Sequence, residues 1–301
     1  MRYRTNGFFL TTLLYDWLIA PFVDFGFMRR AALGCILLSS SGTPLGILLM
    51  LRRMSLMGDA MAHAVLPGVA TGFLLAGLSL PLMGLGGLIA GLIVALLVGL
   101  ASRATHLKED ANMAAFYLIA LALGVMLISL HGSSIDLIHL LFGTVLAIDA
   151  LSLRYIAAAT SVTLILISIF YRPLIADAFD PIFLRTIVRL PALYHFLFLT
   201  LVVINLVAGF QALGTLMSVG LMMLPAASAR LWTRRLGSMI LCAMVIAIIC
   251  SLIGLLLSFH INLPSGPSVI LSLGIFYLYS LCMGRVGSIR SRYFARRHFV
   301  T

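Results

Sequence analysis

The chain has 301 residues, 62% of them hydrophobic and 10% charged, with a formal net charge of +11 and a mean hydropathy of +1.16. A soluble domain carries about 25% charged residues, and no water-soluble core of this size hides so much apolar side chain, so a soluble globular protein is excluded. The basic residues sit between apolar runs, which reads as the flanks of membrane spans and not as a nucleic-acid surface.

The apolar runs recur at the ~20-residue length of a transmembrane helix. They are continuous and Leu/Ile/Ala-rich with no period of two, which favours helices over a closed barrel. The expected fold is therefore all-α, a polytopic transmembrane helical bundle of eight or nine spans. Residues 1–27 come first: Arg2 and Arg4, then a short apolar stretch with Asp16 and Trp17 and no small-residue cleavage pattern. This predicts an amphipathic interfacial helix in contact with lipid, not a cleaved leader. Nine spans are then predicted: Met28–Leu51, Ala60–Leu78, Met83–Ser102, Ala111–Leu130, Arg154–Tyr171, Ala192–Gly209, Gln211–Leu231, Ser238–Phe259 and Ser268–Gly284. They make residues 28–284 the transmembrane domain and leave 285–301 as a basic tail.

Orientation follows from the basic residues. Arg52, Arg53, Arg103, Lys108, Arg172, Arg185, Arg189, Arg230, Arg234, Arg235, Arg285, Arg290, Arg292, Arg296 and Arg297 fall on one side of the alternating spans. Arg2, Arg4, Arg29, Arg30 and Arg154 fall on the other. The richer side is expected to be cytoplasmic, with the N-terminus outside and the C-terminus inside. The pairs Gly42/Gly46 and Gly87/Gly91 are small-xxx-small patterns that let helix backbones approach. Cys35, Cys242, Cys250 and Cys282 all lie in apolar runs and read as small core residues. Two connections are long. Residues 131–152, outside, are themselves apolar, and 175–191, inside, are amphipathic and basic.

Charge within a bilayer is costly, roughly 2.5–3.5 kcal/mol for Asp at a helix centre. Asp59, in SLMGDAMAHAVLPG, is the acid that falls within a span, and His63 follows four positions later. On a helix the two share a face about 6 Å apart along the axis, so a carboxylate and an imidazole can hold one ion. That ligand set suits zinc, manganese or ferrous iron. Two ligands are too few, and a second copy of the helix across a dimer axis would complete four. The alternatives are an Asp59–His63 hydrogen bond or a helix cap by Asp59. Asp59 also stands only six residues past Arg53, which asks for a helix that begins inside the bilayer, with Gly58 and Pro67 able to break it. Asp136 and His139 form a second acid–imidazole pair, either an outer ion vestibule or an interfacial polar patch. His260 reads as a loop residue, and His195, at a span start, is expected to snorkel.

No phosphate-binding G-x-x-x-x-G-K-[ST] loop occurs, and the one lysine, Lys108, has no Gly-rich lead. The chain is therefore not its own P-loop ATPase, and energy for uphill transport must come from a partner. The basic segment around Ala178–Leu190 is the candidate docking site.

The stretch LRRMSLMGDAMAHAVLPG (Leu51 to Gly68) resembles the signature of the manganese/zinc/iron-type ABC transporter permeases, the ABC-3 family. LKED, DLIHLLFGTVLAI, QALGTLMSVGLMMLPAASARL and LPSGP match in the same order, and FDPIFLR (Phe179 to Arg185) resembles the family's coupling helix. The resemblance covers Met28 to Gly284. It implies a type II-like importer permease, a transporter subunit and not an enzyme, in a bacterial cytoplasmic membrane. Its implied partners are a second permease subunit, a cytoplasmic ABC ATPase dimer and an extracytoplasmic metal-binding protein. It places the intramembrane ligands on Asp59 and His63, and the coupling helix on about Asp180 to Leu190, including Pro181, Phe183, Arg185 and Arg189. No cofactor is expected to reside permanently; Zn2+, Mn2+ or Fe2+ is cargo. One departure stands out: where the family commonly has a small residue and a Gly late in the coupling segment, this chain has Leu184 and Val188–Arg189. The rival readings are a permease for metal chelates such as siderophores or cobalamin, which needs no Asp–His pair, and a secondary transporter independent of ATP.

Overall fold

The computed structural model describes residues 15–290 except 16, 78, 106–108, 131–147, 180–183, 185, 187 and 190. Among the described residues the elements are all helical: α1 (Ala20–Asp24), α2 (Gly26–Leu51), α3 (Met57–Ala64), α4 (Leu66–Ala76), α5 (Leu80–Ala104), α6 (Glu109–Leu130), α7 (Ala150–Ile169), α8 (Tyr171–Phe179), α9 (Pro191–Leu213), α10 (Thr215–Arg230), α11 (Leu236–Ile261) and α12 (Ser265–Met283). Among the described residues eight stretches are long and apolar enough to cross a membrane, α3 and α4 together forming one of them. The chain is a multi-pass, all-α membrane protein.

α2 and α9 are the spine: 72% of the most apolar window of each is buried, against 22% for α6 and α7. The C-terminal half of α2 (Leu45, Leu48, Leu49) packs in one core with α3, α4, α5 and α9, around Met61, Val65, Val98, Phe198 and Val202. Its N-terminal half (Met28, Cys35, Leu38) packs in a second core with α10, α11 and α12, around Leu221, Ala243 and Val269. One helix thus joins the two halves of the bundle.

The close approaches explain the glycines. A Cβ on Gly46 would meet the Met222 carbonyl oxygen at 2.0 Å, so α2 and α10 touch backbone to backbone. The Gly87 and Gly91 positions are filled by Val65, Val69 and Val203. Both predicted small-residue pairs therefore sit in helix contacts. A third contact, Gly68 of α4 on Gly86 of α5, is tighter than the second, with a Cβ at Gly68 falling 2.0 Å from Gly86 O.

Polar groups inside the spans are tied together. Pro44 interrupts the hydrogen-bond ladder of α2, and Thr43 Oγ1 donates back to Ser39 O at 2.8 Å. Ser41 donates to the Asn205 side chain of α9, whose Nδ2 donates to Thr163 Oγ1 of α7 at 2.7 Å, with Thr160 Oγ1 3.3 Å from Ser41. This buried seam fixes α2, α7 and α9 in register. At the start of α7, Asp149 Oδ1 accepts from Ser152 N at 2.8 Å, and these hydrogen bonds hold its carboxyl below the usual range.

Four sequence expectations change. The run Gln211–Leu231 is not one span: α9 continues to Leu213, Gly214 takes φ +86°, and α10 is a 16-residue helix. α10 is largely enclosed by protein, so bilayer thickness does not set its length. Cys35 and Cys250 are buried and Cys242 half-buried, but Cys282 is exposed. His260 belongs to the last turn of α11, where its ring stacks on Trp17 at 4.1 Å and its Nε2 lies 3.0 Å from Trp17 O. His195 does not snorkel; it is bonded to Arg52 (below).

Candidate metal centre

The chain leaves α2 through a tight turn. Arg53 takes φ +59°, Met54 N donates to Leu49 O at 3.0 Å and Arg53 N to Met50 O at 3.1 Å. This is the Schellman pattern, normally closed by Gly, here with Arg at the left-handed position. α3 starts at Met57, and Leu56 at its N-cap makes no side-chain capping bond. α3 ends after Ala64, and α4 begins at Leu66 with Pro67 in its first turn. Pro67 is tolerated there because first-turn N–H groups have no intrahelical acceptor. The site is therefore a short helix with Asp59 in its first turn, where the positive end of the helix dipole favours a carboxylate.

His63 Nε2 stands 3.8 Å from Asp59 Oδ1. That is too long for a hydrogen bond, and the N-cap position of the helix is Leu56, with Asp59 inside the first turn. The Asp59 side chain is 67% exposed and that of His63 26%. Asp59, His63, Pro67, Thr71 and Leu75, at four-residue intervals, are exposed or half-buried. A carboxylate open to hydrocarbon is costly, so this stripe faces a polar pathway or another subunit. His63 Nδ1 is buried without a hydrogen-bond partner among the described residues, and the Tyr117 ring of α6 lies 6.3 Å from the imidazole. No group of three or more His, Cys, Asp or Glu forms among the described residues. Within them, Asp59 and His63 present one carboxylate and one imidazole on the same helix face.

The start of α3 packs inside the bundle against α10. Gly58 is pressed against Met222 and Met223, with a Cβ there meeting their Cε atoms at 2.8 and 2.7 Å. Met223 stands about two turns in from Arg230 at the end of α10, and Met222 is also the residue under Gly46. The chain re-enters the bundle between Arg53 and Met57 before the helix forms.

The other predicted site residues fare differently. Asp136 and His139 lie outside the described residues, as do Asp180, Pro181, Phe183 and Arg185. Arg189 is exposed at a bend between α8 and α9. The structure also shows a cluster that the sequence did not single out. Arg52 bonds Asp177 of α8 through one guanidinium nitrogen and His195 Nδ1 of α9, at 3.0 Å, through the other. Its guanidinium lies 4.0 Å over the Phe198 ring. Asp177 sits in the 175–191 run read as a long amphipathic connection, and no spacing rule links positions 52, 177 and 195.

The long apolar helices define a multi-pass membrane protein. The chain belongs to the ABC 3 transport family, whose profile matches residues 24–284. It is 32% identical over 267 residues to the manganese import system permease protein ScaB of Streptococcus parasanguinis, covering 87% of this chain and 94% of that one. Its structure resembles PsaBC from Streptococcus pneumoniae, solved in complex with a Fab, with a TM-score of 0.79 and 31% identity over 92% of this chain and 98% of that one. An inward-facing metal-chelate type ABC transporter shares the fold at a TM-score of 0.66 and 17% identity, over 90% and 89%. The chain is thus the membrane permease subunit of an ABC importer, and the ATPase is a separate partner.

Proposed function

We propose that this permease moves a divalent transition-metal ion, with manganese the leading cargo, and that Asp59 and His63 hold the ion in transit. The single observation carrying the site is the exposed carboxylate on a membrane span, 3.8 Å from an imidazole nitrogen on the same helix face. A second permease subunit brings the same pair across the pathway and completes four ligands. Manganese is preferred over the zinc and ferrous iron that an oxygen–nitrogen site also accepts, because the relative from S. parasanguinis is named for manganese import. An extracytoplasmic metal-binding protein delivers the ion, and two cytoplasmic ATPases dock on the segment 180–190.

The basic ends support a bacterial cytoplasmic membrane with the C-terminus inside. Met50 and Leu51 of α2, Phe179, Arg230, Arg234 and Val286 line one cavity of about 520 Å³, so these helix ends share a face. The test is uptake by vesicles carrying the permease with its ATPase, using radiolabelled manganese, zinc and a ferric chelate in competition. ATP-dependent manganese uptake, undiminished by the chelate, supports the reading. Uptake that survives ATP depletion, or that takes only the chelate, refutes it.

A further inference from the structure

The Arg52–Asp177–His195 cluster joins the end of α2 to α8 and the start of α9, the two helices that flank residues 180–190 in the chain. Asp177 is three positions before residue 180, where that segment starts, and His195 is in the first turns of α9, just past its end. Both are held by the same guanidinium. Arg52 and Asp177 are only 5% and 9% exposed, and His195 Nδ1 lies 3.8 Å from Asp177 Oδ2. Arg52 caps α2, and the hydrogen-bonded turn after it leads within five residues to Met57 and then Asp59. That turn is hydrogen-bonded throughout: Arg53 is in the left-handed region, and Met54 N and Met57 N donate to Leu49 O and Met54 O.

A buried ion pair contributes little net stability, because desolvation offsets its attraction, and its best-attested use is to fix one geometry among alternatives. The planar fork of Arg suits that use, since it binds two partners in a fixed relation and stacks on an aromatic face.

We propose that Arg52, Asp177 and His195 form the joint that carries movement of the 180–190 segment to α3, and so to Asp59 and His63. They are positioning residues: none touches the ion, and they act through the helix that does. The proposal rests on the reading of 180–190 as the docking segment.

The test uses the full transporter with its ATPase in vesicles. It compares wild type, Asp177→Asn, Arg52→Lys, His195→Gln and the docking-segment variant Phe183→Ala. The readouts are ATPase retained on purification, manganese bound by the permease, and manganese delivered per ATP hydrolysed. The joint variants that keep ATPase and manganese binding are expected to hydrolyse ATP but deliver at least about tenfold less manganese per ATP, a drop within the usual range of coupling energies. Arg52→Lys keeps the charge and loses the fork, so a drop there assigns the effect to geometry. An unchanged ratio in every joint variant, whether or not the rates fall together, overturns the joint. Retention of the ATPase with full transport in Phe183→Ala overturns the docking reading instead.

Discussion

His63 Nε2 and Asp59 Oδ1 are 3.8 Å apart on one short helix. Two ligands each ~2.0–2.2 Å from one ion stand about 2.8–3.1 Å apart at an octahedral angle and about 3.3–3.6 Å apart at a tetrahedral one, so a side-chain adjustment of under about 1 Å closes the pair on a metal. The same gap is too wide for a hydrogen bond, which leaves the carboxylate and the imidazole available as ligands.

Protons therefore compete with the metal. Both groups bind an ion only when deprotonated, so manganese affinity and uptake are expected to fall as the outer pH is lowered. His63→Gln, which lacks the imidazole ligand, is expected to transport poorly. Initial uptake rates of wild type across a pH series, and of the variant beside it, check this; an unchanged rate in the variant counts against His63 as a ligand.

The glycine contacts give a stability prediction. Gly68→Ala places a methyl 2.0 Å from Gly86 O, and neither backbone can give way cheaply. The variant is expected to lose about 1–3 kcal/mol, read as a lower unfolding midpoint in detergent. Gly99→Ala meets nothing within 4 Å and is expected to stay within about 0.5 kcal/mol of wild type. Equal effects at the two positions contradict the packing.

The buried seam offers a second. Asn205→Leu keeps the volume but removes the partner of Ser41 and Thr163. Hydrogen bonds of this kind within membranes contribute about 0.6–2 kcal/mol, so unfolding in detergent should come earlier by that amount. Manganese delivered per ATP should stay unchanged, which separates this seam from the Arg52 joint.

Much of this was legible in the sequence for physical reasons. Bilayer thickness sets the length of an apolar run, so spans such as Met28–Leu51 and Ser238–Phe259 were found within a few residues of α2 and α11. The cost of a charge in hydrocarbon made Asp59 conspicuous, and helical periodicity then picked out His63. Pro67 signalled the break after α3. The rule failed where protein, not lipid, surrounds a helix: α10 is enclosed, so its 16 residues answer to packing and not to the bilayer. His195 looked like an interfacial residue because its partners, Arg52 and Asp177, are distant in sequence. Trp17 against His260 was hidden in the same way. Contacts of long sequence separation leave no periodic trace in one chain.

The most direct test of the account is manganese uptake by vesicles carrying the permease with Asp59→Ala, its ATPase and an external manganese supply. The account predicts uptake at background while the permease remains in the membrane at normal abundance and still retains its ATPase. Uptake at the wild-type rate would show that the ion does not pass through Asp59, and would contradict it.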